Sequence, residues 1–355
     1  MFPHPQSPMR THRDSFNRGG PPVTRSVLIT CPPMQRSLEQ CVDEMRSRGL
    51  EPHCPVMTQT LSEAELIDVV PRHDAWIIGD DPATATVFAA GRGGKLRAAV
   101  KWGVGVDNVD FEGAAASGFD VANTPGMFGE EGADIAMAYL VGIARGLFQI
   151  DRGVRDGDWP KPIGRSLFGK TVALVGYGDI GRATLTRLLV AGMRVQVYDP
   201  ALTSEAVRES LLGWPESAAD RVSLMQWPEG LEAADFVVLC CSLRPSTKHL
   251  IDDHTLACLR RGVGVVNVSR GPLIDEPALV KHLSSGHVAA AALEVFEDEP
   301  LGPKHPLREF PQVIFGSHNA SNTAEAVLRT SRRAIELLLE RLADAECDDT
   351  NDAAS

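Results

Sequence analysis

From Ser26 onward, short runs of apolar and β-branched residues alternate with longer stretches whose apolar positions recur at helical spacing. "SVLIT", "AWIIGD", "LRAAVKWG" and "FDVANTP" are strand candidates, each apolar enough to be buried on both faces. Between them, Met34 to Arg48 reads as a helix stopped by Gly49. "SEAELIDVV" opens a helix on Ser62, with Glu65 placed to complete a capping box. A second series runs from Thr171 to about His318, with the strands "TVALVG", "RVQVYD", "FVVLCC", "VGVVNVS", "HVAAAALEVF" and "VIFGSH". This alternation predicts an α/β fold of parallel sheets with right-handed crossovers. Two further helices are expected. Gly132 to Ile150 is more apolar than one globular face requires, which predicts packing at a domain or subunit interface, and Thr323 to about Glu346 closes the chain.

The segment "TVALVGYGDIGRATLTRLLVAGMRVQVYDP" carries more than periodicity. Gly176, Gly178 and Gly181 form G-x-G-x-x-G directly after an apolar strand and at the start of a helix. The first glycine permits a tight turn, the second lets backbone approach a pyrophosphate, and the third lets helix and strand pack closely. The helix N-terminus offers unpaired N–H groups to phosphate. Asp199 ends the next strand, where a carboxylate accepts from both ribose hydroxyls and repels a 2′-phosphate. The expected cofactor is NAD rather than NADP.

Composition narrows the remaining classes. The 355 residues allow one or two domains, and a net charge of −12 argues against a nucleic-acid partner. No apolar run reaches the length of a membrane span, so no membrane partner is expected. Residues 1–24 carry Pro, Gly and Arg without a secretory h-region and read as a disordered arm, and 347–355 read as a disordered acidic tail. Little chain follows residue 346, so no C-terminal regulatory module is expected. The seven cysteines show no metal spacing. They read as reduced thiols of a cytoplasmic protein, and no metal site is expected.

Three charged residues stand where strands of the second series end: Arg270 in "NVSRGPLIDEPAL", Glu299 in "ALEVFEDEPL" and His318 in "VIFGSHNASNT". Singly, they read as a surface ion pair, a solvated loop acid and a core histidine. Together, at the carboxyl ends of strands beside a dinucleotide fingerprint, they form a constellation for hydride transfer to a 2-oxo acid. An Arg clamps the carboxylate and polarises the carbonyl, a His exchanges the hydroxyl proton, and an acid orients the imidazole.

With "KWGVGVDNVD", "NTPG", "VALVGYGDIGR", "VNVSRGPLIDEPAL", "VFEDEP" and the histidine of "GSHNASNT" in this order, the chain resembles the D-isomer-specific 2-hydroxyacid dehydrogenases. The resemblance covers Ser26 to Thr323. It implies a Rossmann NAD-binding domain, 125–319, inserted into a flavodoxin-like substrate domain made of 25–124 and 320–346, with the active site in the cleft. It also implies a homodimer, with the 132–150 helix in the interface. Arg270, Glu299 and His318 become the catalytic set, and Val104 and Gly105 offer N–H groups to the substrate carboxylate, with Asp107 and Asn108 left as caps. Carried across residue by residue, it puts several further positions at the cofactor. These are Asp179 and Ile180 in the glycine loop, Pro200 beside Asp199, then Cys241, Ser242, Thr247, Val268, Ser269 and Glu294.

Three positions depart from the family pattern. Glu294 replaces the usual Asp that meets the nicotinamide carboxamide, "SHNAS" replaces "PHxxG", and Cys240 replaces the His of "LHxPL". The loop "GDDPAT" is expected to face the cleft, where Asp80 and Asp81 repel a phosphate; Lys101 and Arg97 sit on a buried strand and compensate little. A non-phosphorylated 2-oxo acid is therefore expected as the substrate. The alternatives are a phosphoglycerate dehydrogenase and a non-catalytic NAD(H)-sensing protein on the same fold.

Overall fold

The computed structural model describes residues 24–57 and 59–352. The arm expected over 1–24 therefore falls, apart from Thr24, outside the described residues. Two parallel sheets organise the rest. The first contains β1 (Arg25–Ile29), β2 (Leu50–His53), β3 (Ala75–Ile78), β4 (Ala98–Lys101) and β5 (Ala122–Asn123), in the order β2-β1-β3-β4-β5. The second contains β6 (Thr171–Val175), β7 (Arg194–Tyr198), β8 (Val222–Leu224), β9 (Phe236–Leu239), β10 (Val263–Asn267), β11 (Val288–Leu293) and β12 (Val313–Phe315). Its order is β12-β11-β10-β9-β6-β7-β8. The strand order reverses at β1/β3 and at β6/β9. In open α/β sheets such switch points leave crevices at the strands' carboxyl ends, where ligands bind.

The last helix, Ala324–Asp352, returns to the first sheet. Its Ala326, Ala334, Ile335 and Leu338 pack in one core with Val27, Ile77 and Val100. Chain on both sides of the second sheet thus builds the first domain, and the nucleotide-type sheet is inserted within it. The Ser62–Glu65 capping box is present and starts the Glu63–Val69 helix.

Several expected elements differ. The single helix expected over Met34–Arg48 is two short ones, Pro32–Arg36 and Val42–Ser47, joined by a 3₁₀ turn. The Ser37 hydroxyl donates back to the Pro33 carbonyl at 2.9 Å, a local bond that competes with continued helix. The helix expected over Gly132–Ile150 starts at Gly129 and breaks at Gly146, whose φ is +64°. A second helix, Leu147–Arg155, then leaves at 67°. The apolar surplus of the first helix is used inside the chain, since Ala136, Leu140 and Ala144 share a core with Val172 and Leu174 of β6. The last helix runs on to Asp352, beyond the expected start of the tail, because no Gly or Pro follows to stop it. Both strands absent from the sequence reading, β2 and β8, are short edge strands, and β2 contains Pro52. Edges are where proline is tolerated and apolar patterning is weakest. Among the described residues, no single helix is long and apolar enough to cross a membrane.

Candidate active site

A cavity of about 710 Å³ lies between the carboxyl ends of the two sheets. The first domain contributes Asp80 and the run Lys101 to Asp107. The second contributes Gly178, Asp179, Ile180, Ser242, Val268, Ser269, Arg270, Glu294, His318 and Asn319.

The loop after β4 is fixed from behind. Buried Trp102 donates from Nε1 to Ser331 Oγ on the last helix at 3.1 Å and packs on Phe128. Gly103 takes φ +124°, a conformation that favours glycine, and its N–H donates to Thr124 Oγ1 at 2.8 Å. The next two N–H groups, of Val104 and Gly105, make no backbone or side-chain bond among the described residues and belong to the cavity wall. A Cβ on Gly105 would overlap Arg270 Nη2, so glycine here is what lets the guanidinium from the other domain lie against this loop.

Arg270 is held by two bonds. Nε donates to Asp107 Oδ1 at 2.9 Å and Nη1 to the Ser269 carbonyl at 2.8 Å. Asp107 is therefore an arginine partner across the cleft and not a helix cap. Asp110 caps the following helix, while Asn108 ties the loop to the Gly79 and Asp81 carbonyls.

His318 follows β12 with φ +54°, an unusual conformation for a residue with a Cβ. Its Nδ1 lies 2.8 Å from Glu299 Oε2, and Glu299 Oε1 accepts from the Phe296 N–H at 2.9 Å. An ionised carboxylate can only accept, so this pairing keeps a proton on Nδ1 and leaves Nε2 as the exchanging atom. Burial disfavours the imidazolium, yet Glu299 and, from the other domain, Asp80 outweigh it, and the His318 pKa is raised.

The glycine turn fits a dinucleotide. Gly176 has φ +93°, and a Cβ there would stand 2.5 Å from the Cys241 N–H. A Cβ on Gly181 would overlap the Gly176 carbonyl, whereas one on Gly178 meets nothing within 4 Å. Two glycines are thus required by packing, and the middle one faces open cavity at the start of the Asp179–Val190 helix. Asp199 accepts from the Tyr177 and Ala201 N–H groups, at 2.9 and 3.0 Å, which fixes its carboxylate at the end of β7.

Not every expected residue reaches the cavity. Gly176, Gly181, Asp199, Pro200, Cys241, Thr247 and Glu299 do not line it. The Thr247 hydroxyl is turned into its own loop, donating to the Ser242 carbonyl and accepting from the Arg244 N–H. Ser269 Oγ donates to the Cys241 carbonyl. Cys240 does line the cavity; burial pushes its thiol up to about 12 and that of Cys241 to about 11, so neither is a thiolate.

The expectation for Asp81 is corrected. Its side chain is fully buried and accepts from the Leu61 N–H at 2.8 Å, a bond that turns it away from the cleft. Burial raises its pKa. Asp80 alone faces the cavity, paired at 3.0 Å with the Lys101 ammonium, which also donates to the Gly79 carbonyl. The wall is an internally neutralised pair rather than two free carboxylates. Lys101 and Asp107 were not identified as site residues from the sequence. Lys101 sits in a strand pattern and Asp107 in a capping pattern, and neither pattern distinguishes it. Among the described residues, no group of three His, Cys, Asp or Glu side chains could hold a metal ion.

The chain is similar to known proteins over most of its length. The D-isomer specific 2-hydroxyacid dehydrogenase family, NAD binding domain, matches residues 137–320. A glyoxylate reductase from Korarchaeum cryptofilum is 36% identical over 268 residues, covering 74% of this chain and 76% of its own. A hydroxypyruvate reductase from Thermotoga maritima is 32% identical over 292 residues, covering 81% and 90%. The crystal structure of the TT0316 protein from Thermus thermophilus matches with a TM-score of 0.76 at 32% identity, covering 90% of this chain and 97% of that one.

Proposed function

We propose how the cleft residues divide the work in a chain that belongs to the D-isomer-specific 2-hydroxyacid dehydrogenase family. The chain is an NAD-dependent oxidoreductase that interconverts a 2-oxo acid and its D-2-hydroxy acid. The observation that carries the residue-level reading is that His318, paired with Glu299 behind it, and Arg270 line one cavity with the middle glycine of the fingerprint.

Gly176, Gly178, Gly181 and the helix behind them would hold the pyrophosphate, and Asp199 the adenosine ribose; the bound cofactor supplies or accepts the hydride. The substrate carboxylate sits on the Val104 and Gly105 N–H groups and Arg270, which also polarises the carbonyl. In reduction, protonated His318 gives its Nε2 proton to the carbonyl oxygen. In oxidation, neutral Nε2 takes the hydroxyl proton. Glu299 stabilises the charged imidazolium and fixes the ring.

The proposed substrate is a small non-phosphorylated 2-oxo acid such as glyoxylate or hydroxypyruvate. Lys101 is engaged by Asp80 and Gly79 and is not free to take a phosphate, and the two relatives described above are reductases of these acids. Exposed Arg36 lines the same cavity and is the group a phosphorylated substrate would use. A panel of 2-oxo acids with NADH separates the readings. The expected result is a higher kcat/KM for glyoxylate or hydroxypyruvate than for 3-phosphohydroxypyruvate. The reverse order rejects this substrate class, and NADH binding with no turnover on any acid points to an NAD(H)-sensing protein.

The domain boundaries proposed are 25–124 with 320–346, and 125–319. A homodimer in the cytoplasm is proposed as well. It is supported by apolar side chains left exposed along Leu147, Phe148, Val154, Trp159, Ile163 and Phe168, beyond the break at Gly146. Among the described residues, Cys31, Cys41, Cys54, Cys240, Cys241 and Cys258 form no disulfide, which suits a reducing compartment. Light scattering at micromolar concentration is expected to give the mass of two chains, and the pair Trp159→Asp with Phe168→Asp the mass of one. A parent protein of single-chain mass rejects the dimer.

A further inference from the structure

The position where the family pattern has an aspartate points to an additional role. Glu294 ends the run after β11 and is buried, with only 3% exposure. Its three oxygens are engaged by protein. The backbone carbonyl accepts from the His318 N–H at 2.8 Å, Oε1 accepts from the Asn319 N–H, and Oε2 accepts from the Tyr139 hydroxyl. Two consecutive N–H groups of the histidine turn therefore end on one residue. That turn includes the left-handed His318, a conformation that persists only when its surroundings hold it.

Packing around this contact is tight. A Cβ on Gly316, two residues before His318, would overlap both Glu294 Oε2 and the Tyr139 hydroxyl. Burial and the Glu294 carboxylate raise the Tyr139 pKa, so its hydroxyl remains a donor. Tyr139 belongs to the Gly129–Arg145 helix, so a rigid element stands behind the turn. A carboxylate has about four acceptor sites and two are taken here, so Glu294, which also lines the cavity, is fixed between the turn and the tyrosine.

We propose that Glu294, seated by Tyr139, is a positioning residue for His318: it anchors the 317–319 turn so that the imidazole meets Glu299 and the cavity together. This rests on the assignment of His318 as the proton-exchanging group. The longer side chain of glutamate supplies the reach to Asn319, which gives the departure from aspartate a mechanical reason.

Glu294→Gln and Tyr139→Phe test it, each keeping volume and removing an acceptor or a donor. In Glu294→Gln the amide oxygen can stay on the Asn319 N–H only with the NH₂ turned to Tyr139, whose hydroxyl must then accept, so that bond reverses and both charge-assisted contacts are lost. The expected result is a fall in kcat of roughly 10- to 100-fold, the size of a misplacement of about 1 Å, with the NADH dissociation constant kept within about twofold. Tyr139→Phe should change kcat in the same direction by a smaller factor. NMR titration of the His318 ring needs no turnover, and its midpoint should drop in Glu294→Gln as the ring leaves Glu299. Weakened NADH binding with kcat and ring titration unchanged overturns the proposal in favour of a carboxamide contact. A parent protein that turns over no 2-oxo acid would reject the assignment of His318, while the ring titration still decides whether Glu294 positions it.

Discussion

Replacing His318 by alanine is expected to lower kcat by roughly 10²–10⁴-fold, the usual contribution of a positioned general acid–base group, with NADH affinity retained. The ring lies in the substrate cavity beyond the glycine turn, so its loss removes proton transfer without disturbing Gly178 or Asp199. Its raised pKa gives the pH dependence a sign. Reduction needs the imidazolium, so its kcat/KM should be highest at low pH and fall as pH rises through the His318 pKa. Oxidation needs the neutral ring and should rise over the same range. Because the pKa is raised from 6.5, both turning points should lie above that value. Glu299→Gln removes the strongest cause of the rise, so both turning points should move down together. Among the described residues, three charged groups act on this imidazole: Glu299 and Arg270 from its own domain, and Asp80, itself paired with Lys101, from the other. Unchanged turnover in His318→Ala would remove the residue from the mechanism.

The features legible in the sequence were those that repeat a local rule. Central parallel strands such as β6 and β9 are continuous apolar runs, and a glycine turn between strand and helix needs fixed spacing. Arg270, Glu299 and His318 were legible because each stands where a strand ends, and their order resembled a known family. Features that depend on long-range geometry were not. Asp107 and Arg270 pair across 163 positions, and the local pattern around Asp107 is that of a helix cap. Asp81 reads as an exposed loop acid until the chain at Leu61 is folded over it. The break at Gly146 is hidden in an apolar run because a left-handed glycine costs the pattern nothing. Tyr139 and Glu294 lie 155 residues apart, and nothing in either neighbourhood announces the other.

Arg270→Ala is expected to lower kcat/KM by roughly 10²–10³-fold, the scale for losing a donor aimed at developing oxyanion charge. Arg270→Lys should recover only part of this, since an ammonium offers a point charge where the guanidinium offers a planar fork. The structure adds a second route to the same defect. Gly105→Ala leaves both charges in place, yet its Cβ overlaps Nη2 and must push the guanidinium off the loop. The Nε bond to Asp107 at 2.9 Å would be strained in the same movement. Gly105→Ala is therefore expected to reproduce part of the loss seen in Arg270→Ala, since the flexible arginine can shift and keep its charge nearby. NADH affinity is again kept, because the fingerprint glycines lie on other loops. Residues that act through one contact are not additive. In the Arg270→Ala background there is no guanidinium to displace, so adding Gly105→Ala should cost little more. Steady-state kinetics on the two single variants and the double variant complete the cycle. Fully additive losses would mean that the loop N–H groups and the arginine bind the substrate independently. The Gly105–Arg270 contact would then be a packing coincidence rather than the reason for glycine at this position.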